Sequence, residues 1–227
     1  MEKVVVSLGG SVLVPGEDDE RFLAGLTSLL RRVSTRVRLF AVTGGGRVAR
    51  YYIETGRALG VSERHLDELG IGITRMNARL LGAALKGRAN PEPARTYAEA
   101  ARLARRYPVV LMAGTRPGHT TDRVSASLAR FVGATRIVNA TSVDGVYTAD
   151  PRKDPAARLL ERIGFEDLVR LSGAGHHTAG PSVVFDPVAA RVLARDRIPL
   201  SVVRGRDLEA LEAALLGRPF HGTLVSE

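Results

Sequence analysis

The chain has 227 residues, 44% of them hydrophobic, with 33 Lys and Arg against 24 Asp and Glu, a formal net charge of +9 and no cysteine. That length suits one large α/β core, and the missing cysteines exclude disulfides, thiolate zinc sites and cysteine nucleophiles together. No stretch approaches the roughly 20 consecutive apolar residues of a membrane span, and the start, MEKVVVSLGG, lacks the basic region and cleavage site of a secretory signal, so a soluble, cytoplasmic protein without a membrane partner is expected.

The first apolar run, VVVSL at 4–8, reads as a buried strand and leads directly into Ser7-Leu8-Gly9-Gly10-Ser11. Two adjacent glycines let backbone N–H groups approach an anion without a Cβ in the way, although the same pair also makes a tight turn. The missing Gly-Lys-Ser/Thr excludes a P-loop. A helix over 19–32 separates this loop from a second strand, VRLFAV at 37–42. Gly44-Gly45-Gly46-Arg47-Val48-Ala49-Arg50 then joins that strand to a helix over 46–59, placing bare amides and a positive helix end at the carboxyl edge of a sheet, flanked by two arginines. Gly44, Gly46 and Ala49 also satisfy G-x-G-x-x-A. A dinucleotide fold, however, needs a second strand ending in an acidic residue about 20 residues on, and here the sequence continues as helix.

A helix over 66–86, a short Gly/Pro-rich loop at 86–95 and a helix over 95–106 precede the third strand, VVLMA at 109–113. Its loop, Gly114-Thr115-Arg116-Pro117-Gly118-His119-Thr120-Thr121-Asp122, opens a helix over 122–132. Thr120 or Thr121 can cap that helix, His119 is by itself an ordinary loop residue, and Asp122 lies in the first turn, where a carboxylate is favoured on structural grounds alone. The strand RIVNA at 136–140, a loop at 172–182, a helix over 187–195, the strand LSVV at 200–203 and a helix over 207–216 complete the order. Asp186 can cap the helix at 187, with Pro187 at the first helical position. Alternating β and α elements with fully apolar strands predict an α/β protein, a three-layer αβα sandwich with a mostly parallel central sheet and ligands at the carboxyl ends of the strands. Residues 1–227 are expected to form a single domain with two lobes.

Three glycine-bearing loops at three strand ends converge on one edge of such a sheet and describe a cleft for several phosphates, the requirement of phosphoryl transfer. The positive charge fits that reading better than nucleic-acid binding. Lysine occurs only as Lys3, Lys86 and Lys153; the arginines are spread along helices, as in RR, ARLARRY and ARVLARDR, rather than gathered in a tail. Arginine suits bidentate phosphate contacts, and dense charge without cysteine fits a heat-adapted protein.

The blocks Gly9-Gly10-Ser11-Val12-Leu13, Gly44-Gly45-Gly46 through Ala49-Arg50, Asp67 with Gly70-Ile71, Pro117 to Asp122, Thr141 with Val143-Asp144-Gly145-Val146-Tyr147, then Asp150-Pro151-Arg152 and Asp186-Pro187 resemble the amino acid kinase family and, within it, the archaeal uridylate kinases. The resemblance runs nearly end to end. It implies the amino acid kinase fold, a homohexamer made of dimers, and ATP- and Mg²⁺-dependent phosphorylation of UMP in pyrimidine nucleotide biosynthesis. It implies ATP at Ser7, Leu8, Gly9, Gly10, Ser11, Gly45 and Arg50, with the base and ribose near Thr141, Tyr147 and Asp150. UMP then lies against Gly44, Asp67, Gly114, Thr115, Arg116, Pro117, Gly118, His119 and Thr120. Asp67 suits ribose hydroxyls, and loop amides with Thr120 can fix the acceptor phosphate; Tyr147 also has an ordinary role as a packed aromatic. Relatives often carry lysine or aspartate at the Ser7 position, and Lys3 cannot replace such a lysine, since four strand residues put its Cα about 13 Å away. Neutralisation then falls to Mg²⁺ and to Arg50, with Arg47 second, and Asp122 is the expected catalytic organiser. An oxyanion storage protein of the same fold, for molybdate or tungstate, and a sibling kinase of another small acceptor are the competing expectations.

Overall fold

In the computed structural model, which describes residues 1–14, 16–149, 151, 153–173 and 185–227, each apolar run becomes a strand within a residue or two of its predicted bounds. The elements are β1 (Lys3–Leu8), α1 (Gly10–Leu13), α2 (Asp19–Val33), β2 (Arg38–Thr43), α3 (Gly46–Ala58), α4 (Glu63–Ala84), α5 (Tyr97–Leu103), β3 (Val109–Met112), α6 (Thr121–Val132), β4 (Arg136–Thr141), β5 (Arg162–Ile163), α7 (Phe165–Gly173), α8 (Pro187–Asp196), β6 (Leu200–Arg204), α9 (Leu208–Leu215) and β7 (Thr223–Val225). They form one seven-stranded sheet of order β3-β2-β1-β4-β6-β7-β5. All neighbours run parallel except β6 and β7.

The central strands are apolar throughout because both faces are covered. Val4, Val6 and Leu8 of β1 point into a core shared with Leu26, Leu29 and Leu30 of α2 and Leu211 of α9. Val5 points to the opposite core, with Val124 and Leu128 of α6 and Leu193 of α8. This is the predicted αβα sandwich with helices on both faces of a mostly parallel sheet.

Four elements lie outside the expected set. The two residues of β5 and three of β7 are too short to carry a period, and β7 pairs antiparallel to β6 only because the chain returns after α9. The turn of helix α1 stands where a loop was predicted. The start of α7 carries Glu166 and Asp167, a favourable placement at a helix N-terminus, but its 9 residues are short for a confident period. The predicted loop at 172–182 and Asp150 with Arg152 fall largely or wholly outside the described residues.

Strand order fixes where a ligand can sit. The chain moves from β1 to β2 and β3 on one side, then returns to place β4 on the other side of β1. That reversal is a topological switch point, where the loops leaving β1 and β4 diverge and open a crevice at the carboxyl edge.

Candidate active site

The first two glycine loops, leaving the neighbouring strands β1 and β2, meet at the same carboxyl edge. The Gly9 N–H donates to the Ala140 carbonyl at 2.9 Å and the Gly44 N–H to the Leu8 carbonyl at 2.8 Å, so the β1 loop is tied to both neighbours. A Cβ at Gly10 would fall 2.2 Å from the Gly46 nitrogen and 2.6 Å from the Gly44 carbonyl oxygen. The glycine at position 10 is therefore required by the contact between the two loops. Gly46 opens α3 at φ +62, a conformation glycine adopts without strain. Arg50, one turn into α3 and exposed, reaches back across the gap and donates from its guanidinium to the Ser11 hydroxyl at 3.1 Å. Ser7 and Leu8 are buried in the sheet, so Leu8 can offer a ligand its main chain only.

Helix α4 supports these loops from below. Buried Asn77 donates to the Gly44 carbonyl at 2.8 Å, and Thr43 donates its hydroxyl to the Thr74 carbonyl at 2.8 Å. Thr74 in turn donates to the Ile71 carbonyl and accepts the Gly114 N–H at 2.9 Å, binding the β2 and β3 loops to one helix. Neither Thr74 nor Asn77 was singled out from sequence. Their signal was present as polar residues at helical spacing on the buried face that also carries Ala78 and Leu81.

A cleft of about 370 Å³ opens between these loops, lined by Gly45, Gly46, Arg50, Asp67, Thr74, Gly114, Arg116, Gly118, His119, Thr120 and Thr121 among others. It brings together residues from both expected nucleotide groups. Asp67 accepts the Gly118 N–H at 2.7 Å, clasping the 114–120 loop to α4 across the cleft. Arg116 donates to His119 Nε2 at 2.9 Å. Burial, then the nearby positive charges of Arg123 and Arg116, push the His119 imidazole below its ordinary range.

Deeper in, Asp122 sits in the first turn of α6 and receives the Ser7 hydroxyl at 3.3 Å. Burial pushes its carboxyl up to about 6, helped by the charge of Asp186 and opposed by the polar groups that face it, the Asp186 backbone and the Ser7 hydroxyl. Thr120 is the cap of α6, accepting the Arg123 N–H at 3.1 Å, and it donates its hydroxyl to Asp186 at 3.0 Å. The Thr120 hydroxyl, which lines the cleft, thus directs its proton to a carboxylate.

On the far side of β4, Thr141 ends its strand against Gly9. Arg204, at the end of β6, forks onto Asp144 from Nε and a terminal nitrogen at 2.5 and 3.1 Å, and the Tyr147 hydroxyl donates to the same carboxylate at 2.9 Å. The Arg204 guanidinium, with Tyr147, holds the Asp144 carboxyl down to about 2. Tyr147 is thus fixed in direction at its hydroxyl end. Thr115 and Pro117 belong to the third loop without lining the cleft. Asp150 is not among the described residues.

Residues 2–204 match the profile of the amino acid kinase family. A uridylate kinase of Methanoculleus marisnigri is 45% identical over 227 residues, covering 100% of this chain and 97% of its own length, and one of Pyrococcus abyssi is 44% identical over 223 residues, covering 98% and 99%. The crystal structure of uridylate kinase from Archaeoglobus fulgidus superimposes with a TM-score of 0.88 at 38% identity, covering 100% of both chains. Full-length similarity in sequence and in backbone, together with glycine loops gathered at the carboxyl edge of the sheet, places this chain among the uridylate kinases of the amino acid kinase family.

Proposed function

We propose that the protein transfers the γ-phosphoryl group of ATP to UMP, giving ADP and UDP, by in-line displacement between two nucleotides held at the carboxyl edge of the sheet. The observation that carries this reading is the cleft in which the arginine-bearing glycine loop of α3 faces the clasped 114–121 loop, in a chain whose relatives are named uridylate kinases along their whole length. A volume of about 370 Å³ is at the small end for ligand pockets and suits one nucleoside monophosphate.

In this reading UMP lies against Gly44, Asp67, Gly114, Arg116, Gly118 and His119, with Thr115, Pro117 and Thr120 shaping the loop. ATP lies along Ser7 to Ser11, Gly45 and Arg50, its base and ribose toward Thr141, Tyr147 and Asp150. The acceptor phosphate is ionised at neutral pH, so no general base is needed. Transferring charge is met by Arg50, since Lys3 is anchored at the opposite end of β1, donating to the Val132 carbonyl at 2.7 Å. Mg²⁺ would enter with the donor nucleotide, and Asp122 is the carboxylate of this chain that would serve it. When bound, Mg²⁺ supplies further charge neutralisation on the donor phosphates.

The unbroken sheet supports one domain with two lobes. Exposed Tyr51, Tyr52, Leu69, Met76 and Leu80 on α3 and α4 offer an apolar face of the kind that assembles subunits, consistent with a homohexamer. No helix among the described residues is long and apolar enough to cross a membrane, and a cytoplasmic location follows from the biosynthetic role. The test is a coupled ADP-release assay with ATP, Mg²⁺ and a panel of UMP, CMP, dUMP, AMP, carbamate and acetylglutamate. Selective formation of UDP from UMP is expected; turnover confined to another acceptor, or none at all, rejects the assignment.

A further inference from the structure

Asp186 makes more contacts than a helix cap needs. One carboxylate oxygen accepts the Val188 and Ala189 N–H groups at 2.8 and 2.9 Å, which is the complete capping function for α8. The second oxygen points instead to α6 and accepts the Thr120 hydroxyl at 3.0 Å. The Asp122 carboxylate, in the same first turn of α6, receives the Ser7 hydroxyl from β1 at 3.3 Å. The first turn of α6 is therefore held from two sides, by Ser7 of β1 at Asp122 and by Asp186 of α8 at Thr120, next to the loop that lines the cleft.

We propose that Asp186 is a positioning residue for phosphoryl transfer, setting the hydrogen-bonding direction of Thr120, and with it the first turn of α6 that carries Asp122, through its second carboxylate oxygen. The inference rests on the kinase reading above and extends it to a residue that touches no reacting atom. Its physical basis is donor economy. Thr120 has one proton, and the Asp186 carboxylate holds that proton while the Arg123 N–H holds one lone pair, so the hydroxyl's direction is set by Asp186. The α6 end is then fixed before substrate arrives, as preorganised transfer requires.

Asp186→Asn separates this role from capping. Asparagine caps helices about as well as aspartate, but it places an N–H₂ donor where the Thr120 proton is now accepted. The expected result is a kcat lower by about tenfold or more, KM values for ATP and UMP within about threefold of the parent, and an unchanged melting temperature, in keeping with a group acting on geometry in the transition state. Asp207 caps α9 in the same way, accepting the Glu209 and Ala210 N–H groups at 3.1 and 3.0 Å, so Asp207→Asn serves as the capping control and should leave kcat unchanged. Thr120→Val, made alone and with Asp186→Asn, completes a double-mutant cycle; the double variant should lose little more than the worse single one. A kcat for Asp186→Asn within twofold of the parent, an equal loss in Asp207→Asn, or fully additive losses in the cycle would overturn the proposal. Failure of the parent enzyme to form UDP would be seen before any variant is compared, and would remove the kinase reading and this role with it.

Discussion

Replacing Asp122 by asparagine should make the protein more stable and less active at the same time. Burial lifts the Asp122 carboxyl from an ordinary 3.8 to about 6. Between those values the folded chain holds a proton that the unfolded chain has released, so stability falls as pH rises through that window, and the penalty is fully developed above about pH 6. At about 1.4 kcal/mol per pH unit the difference amounts to about 3 kcal/mol, of which we take about 2 as the recoverable part, since the side chain keeps some solvent contact. Asparagine can still accept a bond from Ser7 while carrying no charge. For a chain of this size about 2 kcal/mol corresponds to roughly 5 °C in melting temperature. The assay is thermal unfolding of the ligand-free parent and Asp122→Asn at pH 4 and pH 7.5, with kcat at pH 7.5 expected to fall by on the order of 10². The two proteins should melt close together at pH 4 and separate by about 5 °C at pH 7.5. A gap of equal size at both pH values, or a variant no more stable than the parent at pH 7.5, would refute the assignment of a buried, reluctantly ionised carboxyl.

Arg50→Ala should lower kcat by on the order of 10² if this guanidinium meets the developing charge, and steady-state turnover near the parent value would reject that role. Asp67→Ala removes the clasp on Gly118 and should raise KM for UMP about tenfold or more with a smaller change in KM for ATP, measured by varying each nucleotide at saturating levels of the other. Gly10→Ala drives a methyl group to 2.2 Å from the Gly46 nitrogen, and because that neighbour is backbone it should cost about 3 kcal/mol or more, at the upper end for overpacking, read as a lowered midpoint in urea.

By itself the sequence determined the layers and the location of the chemistry. Apolar runs such as 4–8 and 109–113 could only be strands buried on both faces, and the loops that follow them had to lie at one edge of a parallel sheet. The caps at Asp186 and Thr120 were also legible, because a capping residue acts on N–H groups two or three positions along the same chain. What the tertiary structure alone decided is the use of each polar group across long separations. Gly10 reads in sequence as room for an anion, yet its missing Cβ is required by Gly44 to Gly46, more than 30 residues on. Thr120 reads as the cap of its own helix, and only the fold adds the bond from its hydroxyl to Asp186, 66 residues away. Asn77 and Thr74 read as incidental polar residues on an amphipathic helix, yet they hold the two loops in register. The physical reason is range: periodicity and capping are set by neighbours within a turn of chain, whereas a hydrogen-bond donor is assigned by whichever acceptor the folded sheet brings within about 3 Å.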